Sequence, residues 1–265
     1  MEIFKQLKQN KDLIIAQKKS VMKKADSFNF NVPITQTKDN VTKAINPLEN
    51  VDLETINVSV VINTTNIMDS HNDVHIPGIW TKSLNEKKAL YLLQEHELSF
   101  EKIITDELKA YTKQYSFSEL GYPELKGTTE ALMFDAVVDS DRNEFMFEQY
   151  LKGYVKNHSV GMQYVKLFLC INSNDAIYKE EKDNWNKYIS YVANQDKAIE
   201  SGYFWAVTEA KIVEGSAVPI GSNYATPTIS VSATQNIEAE PITSSKEKQK
   251  QLFFINQLKQ TNEKL

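Results

Sequence analysis

Between Leu53 and Thr228 the chain is cut by turn residues into short stretches of period two, and that rhythm restricts it to a strand-rich fold. Ile56-Asn57-Val58-Ser59-Val60-Val61-Ile62-Asn63 alternates and is β-branched. Lys109 to Phe117 alternates in the same way. Further strands are expected over 89–94, 102–105, 128–138, 159–171 and 203–213, which makes about seven in all, with the Lys109 run extending over 108–120. Gly121-Tyr122-Pro123 and Lys126-Gly127 are turn signals between them. Sequential strands joined by short turns favour an antiparallel sheet or barrel.

Two helices interrupt the strands. Over 141–152, Phe147, Tyr150, Leu151 and Tyr154 fall on one face. Asp141 with Glu144 fits a variant capping box, and Gly153 fits the stop. A second helix is expected over 178–200, where Trp185, Tyr188, Ile189 and Val192 repeat the spacing and Gly202 ends it. Residues 1–52 read as a polar arm, with Phe4, Leu7, Ile14 and Val21 as a thin helical stripe and 31–50 extended. The domain proper is expected over 53–228. Residues 229–265 read as a polar tail in which Leu252, Ile255 and Leu258 support a short helix.

Composition excludes several functions. A net charge of −5 and a pI near 5.5 argue against sequence-independent nucleic-acid binding, which needs a basic face, and no local basic patch interleaves with aromatics. No apolar run approaches the ~18 residues of a membrane span, and Met1-Glu2-Ile3-Phe4-Lys5 opens no secretory signal. These features point to a protein used in a cytoplasm. Cys170 is the one cysteine, so the fold needs no internal disulfide. Its apolar setting suits a buried small hydrophobe. No phosphate loop or dinucleotide fingerprint is present.

The chemistry-bearing residues are few. His158-Ser159-Val160-Gly161 enters an apolar run, and a glycine two places after a serine lets a foreign backbone approach. A serine hydroxyl needs a base within reach, and there are four histidines: His71, His75, His96 and His158. His158 adjoins Ser159, but strand neighbours point to opposite faces. His96 ends an apolar strand between Glu95 and Glu97, where it can be presented to a site. His71 and His75, with Asp69 and Asp73 nearby, have a spacing that would make a metal pair on a helix, but Pro77-Gly78 argues for a loop whose carboxylates hold its own backbone. Glu214 follows a strand and suits the third member of a triad. Ser216 is a second candidate nucleophile.

In order along the chain, Asp69 to Trp80, Leu92 to Glu97, His158 to Gly161 and Val213 to Val218 resemble the blocks of the prohead proteases of tailed phages. These are capsid-maturation serine proteases related in fold to herpesvirus assemblin. The resemblance spans roughly 55–225. It implies an α+β fold, a mainly antiparallel seven-stranded β-barrel flanked by helices. It also implies Ser159 as nucleophile and His96 as general base and acid; the third member varies among relatives, and Glu214 is the candidate here. No cofactor is implied. The implied substrates are the scaffold, the major capsid protein and the enzyme itself. Action would be inside the assembling procapsid in a host cytoplasm, with self-association and without nucleic acid or membrane. Three departures stand out: His158 where relatives carry an apolar residue, Glu97 where Asp is frequent, and the insert over 178–200. Three rivals remain: a non-catalytic scaffold or internal capsid protein on the same fold, a metal-dependent hydrolase built on Asp69, His71, Asp73 and His75, and a β-rich binding module.

Overall fold

The computed structural model describes residues 2–20, 53–86 and 88–233. The extended arm expected over 31–50 and the helix expected around Leu252–Leu258 lie outside the described residues. The chain opens with helices α1 (Glu2–Gln9) and α2 (Lys11–Ser20). Strand β1 (Thr55–Thr64), the short strand β2 (Asp73–His75) and helix α3 (Thr81–Asn85) follow. Next come β3 (Leu92–Gln94), β4 (Ile103–Thr105), β5 (Leu108–Ser116), β6 (Thr128–Asp139) and helix α4 (Glu144–Leu151). The last elements are β7 (Asn157–Ile171), helices α5 (Lys179–Tyr188) and α6 (Gln195–Ser201), then β8 (Tyr203–Val218) and β9 (Thr228–Ala233).

The strands form two sheets. One runs β5-β6-β1-β9 and is antiparallel throughout. The other is built on the long antiparallel pair β7–β8, with β2 and β3 parallel to β8 on its other edge and β4 antiparallel to β3. The α+β class is as expected, but the topology differs. Among the described residues nine strands make two sheets, and their pairings close no barrel. The parallel partners of β8 come from segments that return to it over long crossovers, which a count of sequential turns does not reveal.

Alternation explains how the sheets meet. Ile56, Val58, Val60 and Ile62 of β1 turn inward with Leu132 and Phe134 of β6. Val160, Met162 and Tyr164 of β7 and Ile212 of β8 meet them from the other sheet. The sheets approach so closely at Gly215 that a Cβ there would lie 2.6 Å from Phe134 Cε2 and 2.8 Å from Ile62 Cδ1. The opposite face of the second sheet carries Cys170 and Phe204 at one end. The insert covers that end: Trp185 of α5 packs on Phe204 with ring centroids 5.1 Å apart. The insert is two helices joined by a 3-10 turn over Ile189–Tyr191 rather than one.

Three boundaries moved. α4 starts at Glu144 because Asn143 caps it, its Oδ1 accepting from Met146 N at 3.0 Å; Asp141 lies outside the cap. β8 continues to Val218, so Glu214 to Val218 is strand and not a following turn. β9 carries the sheet to Ala233, beyond the expected edge of the domain at 228. The N-terminal helices are fastened by ion pairs to buried carboxylates. Lys8 and Lys11 reach Glu181 of α5 at 2.7 and 2.9 Å, and Lys18 reaches Asp73 of β2. No helix among the described residues is long and apolar enough to cross a membrane.

Gly215→Ala should destabilise the fold by about 1–3 kcal/mol, the usual cost of overpacking a filled core. Urea unfolding should show a lower midpoint with an unchanged slope.

Candidate functional site

The β7–β8 register sets two triplets face to face. Ser159 lies opposite Ser216, Val160 opposite Gly215, and Gly161 opposite Glu214. Directly paired residues share a face, so Ser159, Gly161, Glu214 and Ser216 all project from one side. Val160 and Gly215 project from the other, into the core.

His96 reaches the same side from the neighbouring strand. β3 runs parallel to β8 with Leu93 at the level of Ser216. Past its end the chain turns sharply, with Glu95 and His96 both at positive φ, 55° and 62°. This conformation is uncommon outside glycine, and it occurs here in two consecutive residues. The turn brings the ring back over β8, where His96 Nδ1 lies 2.6 Å from Glu214 Oε1. A carboxylate only accepts, so Nδ1 carries the proton and Nε2 is the basic nitrogen. The other carboxylate oxygen, Oε2, accepts from Ser216 Oγ at 2.6 Å. Ser216 Oγ in turn accepts from the His96 backbone N–H at 3.1 Å. His96, Glu214, Ser216 and Ser159 are all buried.

Gly161 makes this packing possible. A Cβ there would stand 1.9 Å from Glu214 Oε1. The glycine thus admits a carboxylate from its own neighbouring strand, where a foreign backbone was expected. Ser159 lies one side-chain step along the same face. Among the described residues its Oγ makes no hydrogen bond, including none to His96. Bonds between nucleophile and base are often loose before substrate binds.

The other expected residues sort themselves out. His158 points away from Ser159, into the core beside Tyr150. Its Nε2 accepts from Tyr150 Oη at 3.0 Å and its Nδ1–H donates to Thr226 O at 3.2 Å. Burial holds its pKa down, to about 4, so it packs as a neutral ring. Ser216 is fully buried, and its hydroxyl both donates to Glu214 and accepts from the His96 amide. Cys170 is buried in the cluster around Trp185, and desolvation pushes its thiol pKa up.

The acidic loop binds itself and the N-terminus. Asp69 Oδ1 accepts from the backbone N–H of His71 and of Asp73 at 2.8 and 2.9 Å. Asp73 takes Lys18 on one oxygen and Tyr164 Oη on the other, the latter at 2.8 Å. His75 faces Asn63 Oδ1 at 3.0 Å and Tyr164 Oη at 3.3 Å. Among the described residues no three His, Cys, Asp or Glu side chains converge as a metal would require. A cavity of about 10 Å³, the room of one water, joins Ser159 to Asn63, Asp69, His71 and Asn223.

No protein-family model, curated protein or solved structure matches this chain.

Burial first, then the charge of Asp73, raise the Asp69 pKa from 3.8 to about 7. An acid shifted upward on folding contributes stability that is present at low pH and lost as pH rises through the higher value. His158 acts oppositely, and its contribution fades as pH falls from 6.5 toward about 4. Asp69→Asn keeps the acceptor for the two loop amides and removes the titration. Its melting temperature relative to wild type should therefore climb by a few degrees between about pH 5 and about pH 8, at roughly 2–4 °C per kcal/mol for a domain this size. Paired thermal melts measure it.

Proposed function

We propose that this chain is a serine endopeptidase of the prohead-protease kind, cutting scaffold and major capsid protein, and itself, within an assembling procapsid. The observation that carries the reading is the buried His96–Glu214 pair on the face from which Ser159 projects, held there by a register that sets Ser159 and Gly161 against Ser216 and Glu214.

In this reading Ser159 Oγ attacks the scissile carbonyl carbon while His96 Nε2 takes its proton. The tetrahedral intermediate collapses, the C–N bond breaks, and the imidazolium returns the proton to the leaving amine. Water, deprotonated by the same nitrogen, then hydrolyses the acyl ester and restores Ser159. Glu214 fixes the tautomer and offsets the charge of the imidazolium. The substrate enters as an extended segment. In this reading the site of action is the procapsid in a host cytoplasm. The burial of Ser159 favours one alternative, a non-catalytic capsid or scaffold protein on the same fold.

A fluorophosphonate probe with intact mass analysis separates the two. Wild type should gain one adduct at Ser159, and co-expressed capsid protein should be shortened. Ser159→Ala and His96→Ala should do neither, since loss of such a nucleophile lowers rate on the order of 10⁶-fold. No adduct and no shortening in wild type would leave the non-catalytic alternative. Glu214→Gln should slow labelling by about 10⁴-fold by presenting the wrong partner to Nδ1, and Gly161→Ala should slow it by displacing the carboxylate.

A further inference from the structure

We infer that Ser216 is a positioning residue of this site: its hydroxyl couples the main chain of the His96 turn to the Glu214 carboxylate, and so aims the imidazole toward Ser159. The inference rests on the reading of Ser159 and His96 just given, and it adds a fourth residue with a separate task.

The argument starts from the turn. β3 pairs with β8 as far as Gln94, and the ladder is extended once more by Glu95 N–H on Ala217 O at 3.0 Å. The chain then enters the left-handed region for Glu95 and His96, residues with no intrinsic preference for it. Such a conformation persists only where surrounding contacts over-determine it. After the turn, Glu97 N–H returns to Gln94 O at 3.1 Å. Between these two bonds lies the N–H of His96 itself, which has left the reach of the β8 backbone. A side chain takes the vacant place: Ser216 Oγ accepts it at 3.1 Å.

The hydroxyl proton has one direction to go. It donates to Glu214 Oε2 at 2.6 Å, and Glu214 Oε1 receives His96 Nδ1–H at 2.6 Å. The bonds form a closed loop: His96 N–H to Ser216, Ser216 O–H to Glu214, and His96 Nδ1–H to Glu214. Backbone and ring of one residue are therefore tied to the same carboxylate. Ser216 has no exposed surface, so water does not replace it. Alanine at 216 removes the acceptor of a buried amide and one of the two donors to a buried carboxylate together.

A hydroxyl that only filled space would show none of this in the chemistry of His96. The test compares Ser216→Ala, Ser216→Thr and Ser216→Val with wild type, reading the fluorophosphonate labelling rate at Ser159 and the low-field proton resonance of His96 Nδ1–H. Thr and Val are equal in volume and differ in the hydroxyl, so their comparison carries the test wherever the alanine variant fails to fold. Wild type and Thr should show the low-field proton. Ala and Val should lose or broaden it and label about 10–100-fold more slowly, the scale seen when an outer hydrogen-bond partner of a functional imidazole is removed. An unchanged resonance and rate in Ala and Val would overturn the inference, as would an adduct on Ser216 itself. If wild type takes no label, the endopeptidase reading fails by itself, and the resonance in Val against Thr still decides whether Ser216 holds the pair.

Discussion

The structure depends on the register of β7 against β8. One alignment places Ser159 opposite Ser216 and Gly161 opposite Glu214. A slip of one residue would turn all four to the other face and bring Val160 and Gly215 out of the core. The core prevents that slip. Val160 and Met162 are packed against the first sheet, and Gly215 is where Phe134 and Ile62 come closest to it. Apolar packing on one side of the pair thus fixes polar geometry on the other.

A buried carboxylate is tolerated only with partners. Glu214 has two, His96 and Ser216, and both come from groups that the fold already holds in place. Asp73 has Lys18 and Tyr164. Asp69 has backbone donors that favour its charged form, but burial and then the like charge of Asp73 outweigh them and raise its pKa. Three buried acids are thus stabilised in three ways. Two of the arrangements join distant parts of the chain: Asp73 joins the N-terminal helix α2 to the second sheet, and Glu214 joins β3 to β8.

Much of this was legible in the residues. Alternation over Ile56–Asn63 and Lys109–Phe117 located strands that exist. The prediction that His158 and Ser159 face opposite ways followed from pleating alone, and the observed partners of His158 agree with it. The long-range features were harder to see. Period-two patterns do not state which edge of β8 receives β2 and β3, because parallel pairing depends on crossovers and not on turns. Glu214 was placed just past a strand that in fact runs on to Val218, because the partners that hold Gly215 and Ser216 in it, Phe134 and His96, are distant in sequence. The helical stripe of the first twenty residues looked thin because lysines join it to the body as much as apolar side chains do.

The turn at Glu95–His96 and the glycine at 161 are two halves of one solution. A histidine side chain on a strand stands away from the sheet, and a carboxylate on the neighbouring strand stands beside it without contact. To bring them to 2.6 Å, one chain must fold back and the other must make room. The left-handed pair does the first, at a cost in backbone energy. The missing Cβ of Gly161 does the second, since with any other residue the carboxylate would be expelled from where it now lies. Both are accounted for by the His96–Glu214 pair, the contact on which the proposed reading of this face rests.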